Sequence, residues 1–292
     1  MNFESTPDLS ASTSSWSSAP SSTPCPPYKS YRPTPSVHMT DSNCGTTSTV
    51  DHCYLPSGEK SLSGISIRSF FLGQIAGLSF LSTLLLLLLT SSPLWRAPFF
   101  LLALCIFHFL EFYITARYNT SFATLSSFLL TQNGAAYNIA HTSAMAECLL
   151  SRLLLPHGYF SSTSAIFGGA HGQVSLGLVF IVVGQVVRTL AMAQAGTNFT
   201  HTIQYRKREG HVLVTHGIYA LLRHPSYFGF FWWGLGTQLV LGNVLCLVGY
   251  AVVLWRFFSD RIQKEEQLLI RFFGKEYIDY RARTRVGIPG IP

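Results

Sequence analysis

IRSFFLGQIAGLSFLSTLLLLLLT, residues Ile67–Thr90, is the stretch that decides the fold class. At 1.5 Å per residue it is long enough to cross the roughly 30 Å hydrocarbon core of a bilayer. Arg68 stands at its start and Pro93 just beyond its end, as at the boundaries of a membrane helix. The composition of the whole chain agrees. Of 292 residues 48% are hydrophobic and only 11% charged, against roughly 25% charged in soluble domains, and the mean hydropathy is +0.30. This excludes an ordinary soluble enzyme and predicts a membrane protein. Gly73 and Gly77 form a GxxxG step, which serves equally for close helix contact or for a simple lipid-facing helix.

Upstream of this helix, residues 1–64 are dominated by Ser, Thr and Pro without apolar periodicity. They read as a disordered cytosolic tail, either a solvated extension or a phosphorylated regulatory segment. The first long apolar run starts only near Ile67, so the basic-then-apolar order of a signal peptide is missing. Six cysteines, three in the tail and three in apolar stretches, contain no CxxC pair, so neither a disulfide framework nor a zinc site is legible.

Downstream, further apolar spans are predicted at about Pro98–Thr115, Tyr137–Leu155 and Gly172–Ala195. His108 and Glu111 share one face of the second span. Polar groups at that depth need partners, and His141 and Glu147 of the third span are the candidates. Tyr227–Phe258 is apolar and aromatic but broken at Gly242 and Asn243, which predicts a short helical hairpin, spanning or re-entrant. Ser259–Arg285 is charged and reads as a cytosolic C-terminal helix. The expected fold is therefore all-α: a polytopic membrane helix bundle of about six segments including the hairpin, with one membrane domain over residues 65–292. Arg206, Lys207 and Arg208 place the Asn198–Arg223 loop in the cytosol, and counting crossings puts both termini there too. The NxT matches at Asn119 and Asn198 then stay unglycosylated. The net charge of +7 points to anionic lipid head groups of the bilayer rather than nucleic acid.

The chemistry-bearing stretch is HVLVTHGIYALLRHPSYFG, His211–Gly229. It feeds Arg223, His224, Pro225, Ser226 and Tyr227 into the mouth of the hairpin. Pro225 suits a first helical turn, and the neighbouring cations read as a lip for a carboxylate or phosphate. Blandly, the same residues are a positive-inside loop capping a helix. Asp260, Arg261, Glu265 and Glu266 follow the hairpin and return to the same face. A carboxylate there suits a cofactor amine or ribose, and an arginine suits a substrate carboxylate; blandly, Arg261 and Glu265 are an exposed i,i+4 pair. No HExxH or other ligand spacing supports a metal, and Gly234–Leu235–Gly236 lies in an apolar helix without a third glycine, which favours helix packing over dinucleotide binding.

The ordered set NFTHTIQ, HxLVTxGxY, RHPSYxG, GTQ, WRFFxDRIxxEE and LIRFFGxEYxxY, spread over Asn198–Tyr280, closely resembles the isoprenylcysteine carboxyl methyltransferase family. FHFLEFY at Phe107–Tyr113 and YNIAH at Tyr137–His141 resemble it more weakly. The resemblance implies an endoplasmic reticulum enzyme that transfers methyl from S-adenosylmethionine to the carboxylate of a C-terminal prenylcysteine in CaaX processing. It also implies cofactor contacts at Gln204, at His211, Val212, Leu213 and Val214, at Tyr219, at His224, Pro225, Ser226 and Tyr227, and at Glu265, with Arg261 on the substrate carboxylate. RHPxYxG alone is similar to motifs of phospholipid methyltransferases and of NADPH-dependent sterol reductases, which stand as alternatives; a non-enzymatic membrane scaffold is a third. One departure is Val244 after Asn243, where the family commonly has Pro.

Overall fold

The computed structural model describes residues 51–130, 133–154 and 165–292; residues 1–50 of the expected disordered tail lie outside them. Seven α-helices follow one another among the described residues: α1 Leu62–Leu89, α2 Arg96–Tyr118, α3 Gly134–Leu154, α4 Gly169–Ala195, α5 Pro225–Leu241, α6 Leu245–Phe273 and α7 Lys275–Arg283. Among the described residues there is no strand ladder, only an isolated bridge between Leu222 and Arg285. Three stretches of the described residues, Leu62–Leu89, Pro93–Tyr118 and Gly169–Asn198, are long and apolar enough to cross a bilayer. The expected span at Tyr137–Leu155 is not among them, and the hairpin helices fall short too: α5 has 17 residues, and α6 carries Arg256, Asp260 and Arg261 ahead of Ile262.

Ser61 caps α1 by accepting the Gly64 N–H at 3.1 Å, and the leucine run then carries the helix uninterrupted to Leu89. Only Leu72, Ser79 and Thr83 of α1 are buried, as expected of a helix that packs on α2 along one edge and faces lipid elsewhere. Gly73 and Gly77 face open space, so the GxxxG step serves no helix contact within the chain. Residues ahead of α1 lie against the loop after α2: Lys60 Nζ donates to the Ser121 carbonyl at 2.9 Å and the Leu125 N–H to the Glu59 carbonyl at 2.8 Å. Cys53 is disulfide-bonded, which its spacing did not reveal; Cys105, Cys148 and Cys246 are free thiols.

α4 and α5 form the tightest pair, and glycine is the reason. A Cβ on Gly184 would lie 2.5 Å from the Gly229 carbonyl oxygen, and one on Gly236 would lie 2.7 Å from that of Gly177. Two glycines seven residues apart on each helix thus let the backbones touch. Gly184→Ala forces the pair apart, and the expected cost is about 1–3 kcal/mol. A thermal unfolding midpoint in detergent equal to that of the unmodified protein would refute this packing account. Phe107, Ile181, Trp233 and Val240 fill the core beside this seam, with Phe107 and Trp233 ring centroids 4.7 Å apart.

The hairpin turn falls where the sequence places it, at left-handed Gly242 (φ 78°) followed by fully buried Asn243. Asn243 Nδ2 donates to the Ala144 carbonyl at 2.9 Å and to Gln238 Oε1 at 2.8 Å. Glu147 of α3 accepts the N–H groups of Val244, Leu245 and Cys246 at 2.7–2.9 Å, capping α6 with a carboxylate at its positive end. A proline at position 244 would have no N–H to give Glu147, so the Val244 departure is built into the turn. The expectation of a separate charged helix over 259–285 is corrected: α6 runs unbroken to Phe273, left-handed Gly274 (φ 56°) breaks it, and only then does α7 begin. The chain finishes by laying Val286, Ile288 and Ile291 against Phe231, Phe258 and Ile262 of the hairpin, with the Trp232 and Trp255 indoles donating to the Gly287 and Pro289 carbonyls.

Candidate active site

The hairpin returns the start of α5 and the second half of α6 to one end of the bundle, where the loop after α4 meets them. There a cleft opens between the three segments. His211, Val212, Leu213, Val214, Tyr219, His224, Pro225, Ser226, Tyr227 and Glu265 all line it. Gln204 does not; its amide donates to the Thr202 carbonyl at 3.5 Å. Arg261 stands beside the cleft rather than on its wall, reaching it through Tyr227.

Tyr227 is the junction. Its hydroxyl donates to Glu265 Oε2 and accepts from Arg261 Nε at 2.8 Å, while Arg261 Nη2 donates to the His201 carbonyl. Two groups are thereby fixed at once: the Glu265 carboxylate faces the cleft with Oε1 uncommitted among the described residues, and the Arg261 guanidinium keeps Nη1 for another acceptor. The bland i,i+4 ion pair is not what forms, because the phenol sits between the two. The tyrosine ring stacks on His224, with centroids 5.5 Å apart and planes 10° from parallel.

Arg223 corrects the expectation of a cationic lip. Its Nε donates to Glu266 Oε1 at 2.5 Å, Nη1 to the Thr284 carbonyl at 2.8 Å, and Nη2 to the Pro292 carbonyl. The N–H groups of Tyr227 and Phe228 are likewise spent on the His224 carbonyl. Arg223 lines the cleft but serves as a buried tie between α5, α6 and the segment after α7, with each of its three nitrogens already on an acceptor. His224 Nε2 lies 3.3 Å from the same Glu266 oxygen. Burial alone would raise the Glu266 pKa, but the hydrogen bonds and charges of His224 and Arg223 outweigh it and hold the carboxyl at about 2. A depressed carboxylate pKa contributes stability that is fully present above the unfolded value near 4.5 and is lost as pH falls toward about 2. Wild type should therefore lose thermal stability over that window more steeply than Glu266→Gln, whose amide does not titrate; parallel acid profiles would contradict the assignment.

Charge at bilayer depth is paired, though not as the sequence reading has it. Glu111 of α2, 1% exposed, receives two hydrogen bonds from Arg188 of α4, the second to Oε2 at 2.8 Å, and His201 Nε2 lies 3.0 Å from the same oxygen. Arg188 Nη1 in turn donates to Ser226 Oγ at 2.9 Å and to the Ser226 carbonyl at 3.2 Å. Its guanidinium lies between the Phe107 and Phe230 rings, 5.3 and 5.4 Å from their centroids. His108 instead bonds the Phe128 carbonyl and the Tyr137 hydroxyl, and His141 the Tyr250 hydroxyl. The expected interhelical network exists, but its ion pair joins α2 to α4 and anchors Ser226 at the cleft.

Several wall residues escaped the sequence reading. Leu269 and Phe273 line the cleft and follow Glu265 at four-residue steps on one face of α6, a period that could have revealed them. Tyr277 and Tyr280 come from α7. Asn198 both lines the cleft and accepts the Val212 N–H at 3.0 Å, which orients the His211–Val214 strip. His211 has its pKa lowered by burial and by the charges of Arg208 and Lys207, so its ring is neutral at physiological pH. His211 Nδ1 and the Tyr277 hydroxyl are buried without partners, and both belong to the cleft wall. Orphaned polar atoms converging on one space fit a polar small molecule. Among the described residues no cluster of His, Cys, Asp or Glu has the arrangement of a metal centre.

A bundle with three bilayer-length helices among the described residues and a polar, aromatic cleft at one end defines a polytopic membrane protein. Residues 176–271 match the model of the isoprenylcysteine carboxyl methyltransferase family. Protein-S-isoprenylcysteine O-methyltransferase of Saccharomyces cerevisiae is 48% identical over 192 residues, 66% of this chain and 79% of that protein. The protein of the same name from Schizosaccharomyces pombe is 40% identical, covering 80% of this chain and 97% of its own, and the human one 38%, covering 78% and 75%. A solved structure of the eukaryotic intramembrane Ras methyltransferase of this family superposes with a TM-score of 0.68 at 35% identity, over 78% of this chain and 77% of that one. The chain belongs to the isoprenylcysteine carboxyl methyltransferase family.

Proposed function

We propose that the protein transfers methyl from S-adenosylmethionine to the C-terminal carboxylate of prenylated cysteine in CaaX-processed proteins, at the cytosolic face of the endoplasmic reticulum membrane. Residues 65–292 form the methyltransferase domain in this reading, and residues 1–64 a cytosolic tail. The observation that carries the proposal is the meeting of Glu265, Tyr227 and the His211–Val214 strip around one cleft, with Arg261 held beside it by the same tyrosine. Arg206, Lys207 and Arg208 at that end support the cytosolic orientation.

When bound, S-adenosylmethionine supplies an electrophilic sulfonium methyl. Glu265, with one carboxylate oxygen committed to Tyr227, presents the other to an amine or hydroxyl donor. His211 and Tyr277 provide the unpartnered polar atoms, and Phe273, Tyr219 and Tyr280 provide aromatic wall. Arg261 Nη1 receives the acceptor carboxylate. That carboxylate is already nucleophilic near neutral pH, so no side chain has to take a proton, and the protein's task is to align two partners that lose charge as they react. The prenyl chain reaches the site from the bilayer between helices, which explains why the cleft stands at the membrane surface.

Glu265→Ala should weaken S-adenosylmethionine binding by about tenfold or more, the equivalent of losing one charge-assisted hydrogen bond, while leaving the unfolding midpoint near that of wild type. Equal affinities by calorimetry would remove Glu265 from the cofactor site.

A further inference from the structure

No residue of α2 lines the cleft, yet α2 and the asparagine that follows it hold the loop after α4. Asn119 Nδ2 donates to the Phe199 carbonyl at 2.9 Å. Glu111, about two turns earlier on the helix, has its Oε2 3.0 Å from His201 Nε2. That carboxylate is itself fixed by two hydrogen bonds from Arg188. A carboxylate paired with a guanidinium only accepts, so His201 donates through Nε2.

Residues 199–204 form neither helix nor strand, so no backbone ladder sets where their carbonyls point. Side chains do this instead. The His201 and Phe199 rings meet edge to face with centroids 5.2 Å apart, and Thr200 Oγ1 donates to the Thr202 carbonyl at 2.8 Å. The carbonyl so placed is the one that matters to the site: His201 O accepts from Arg261 Nη2 at 2.5 Å. Arg261 is otherwise held through Nε on the Tyr227 hydroxyl. One contact leaves a guanidinium free to swing, whereas two fix the plane of the fork and with it the direction of Nη1. We propose that His201 is a positioning residue for the acceptor: anchored by its ring on Glu111, it uses its carbonyl to aim Arg261 Nη1 at the carboxylate to be methylated. The assignment rests on the methyltransferase reading above and adds to it a residue that never touches the reacting atoms.

The test uses the full-length protein in liposomes, with N-acetyl-S-farnesylcysteine as acceptor and S-adenosylmethionine affinity measured separately by calorimetry. His201→Leu keeps the bulk of the side chain but offers Glu111 no donor. Its kcat/KM for the acceptor falls by about 10- to 100-fold, the scale of a misaimed reacting group, while cofactor affinity stays at the wild-type value. His201→Gln returns an N–H to Glu111 and recovers most of the loss. In an Arg261→Ala background His201→Leu costs nothing further, because the histidine acts through the arginine. Losses that add in the double variant, a glutamine variant no better than leucine, or cofactor affinity falling as far as kcat/KM would overturn the positioning role, as would wild-type kcat/KM in His201→Leu. Ester formation by wild type keeps these outcomes separate from the underlying reading; no ester from wild type would remove that reading and the role of His201 with it.

Discussion

Arg261→Ala lowers kcat/KM for a prenylcysteine acceptor by about 10²- to 10³-fold, the usual loss when one preorganised donor to a reacting oxygen is removed. Two separate consequences add here. The acceptor carboxylate loses the Nη1 partner proposed for it, and Tyr227 loses the Nε donor that sets its hydroxyl against Glu265. Arg261→Lys distinguishes them, since an ammonium keeps the charge but cannot hold Tyr227, the His201 carbonyl and a carboxylate together as a planar fork can. The lysine variant should recover only a small part of the loss, mostly in KM. Turnover by Arg261→Ala at the wild-type rate would exclude Arg261 from acceptor binding.

Glu111→Ala should destabilise the fold by about 3–5 kcal/mol, the cost of leaving a buried charge without its partner. Arg188 is 7% exposed and loses both carboxylate contacts at once. Replacing both residues, as in Glu111→Ala with Arg188→Met, removes the stranded cation and should recover a large share of that stability, which a double-mutant cycle measures as coupling. Activity should not return with stability, because Ser226 at the cleft loses the guanidinium that holds its hydroxyl and carbonyl. A single-mutant cost below about 1 kcal/mol would place the pair among solvated ion pairs.

These residues also show what the sequence could reveal. The first, second and fourth spans and the hairpin break were legible because they rest on local signals, the length of apolar runs and the Gly242–Asn243 interruption. The cleft wall was largely legible as well: the strip at 211–214, the start of α5 and Glu265 come together as the motif order implies. Partnerships between helices were not legible. Glu111 finds Arg188, 77 positions away, rather than the nearer His141 or Glu147, because α2 packs beside α4 at that depth. A lone arginine within an apolar run was the available signal for Arg188, since charge at bilayer depth demands a partner. Arg223 was misread for a related reason: its cationic character is local, whereas Glu266 and the carbonyls that consume it arrive from later in the chain. The break between α6 and α7 had a legible marker in Gly274, outweighed by the continuous helix-favouring composition around it.

The most direct test of the central claim is methyl transfer from labelled S-adenosylmethionine to N-acetyl-S-farnesylcysteine by the purified protein in liposomes, read as base-labile methyl ester. The account predicts ester formation by wild type, and its loss by about 10²-fold or more in Arg261→Ala at saturating cofactor. Protein that is folded and binds the cofactor, yet forms no ester with farnesyl or geranylgeranyl acceptors while methylating a phospholipid, would contradict it.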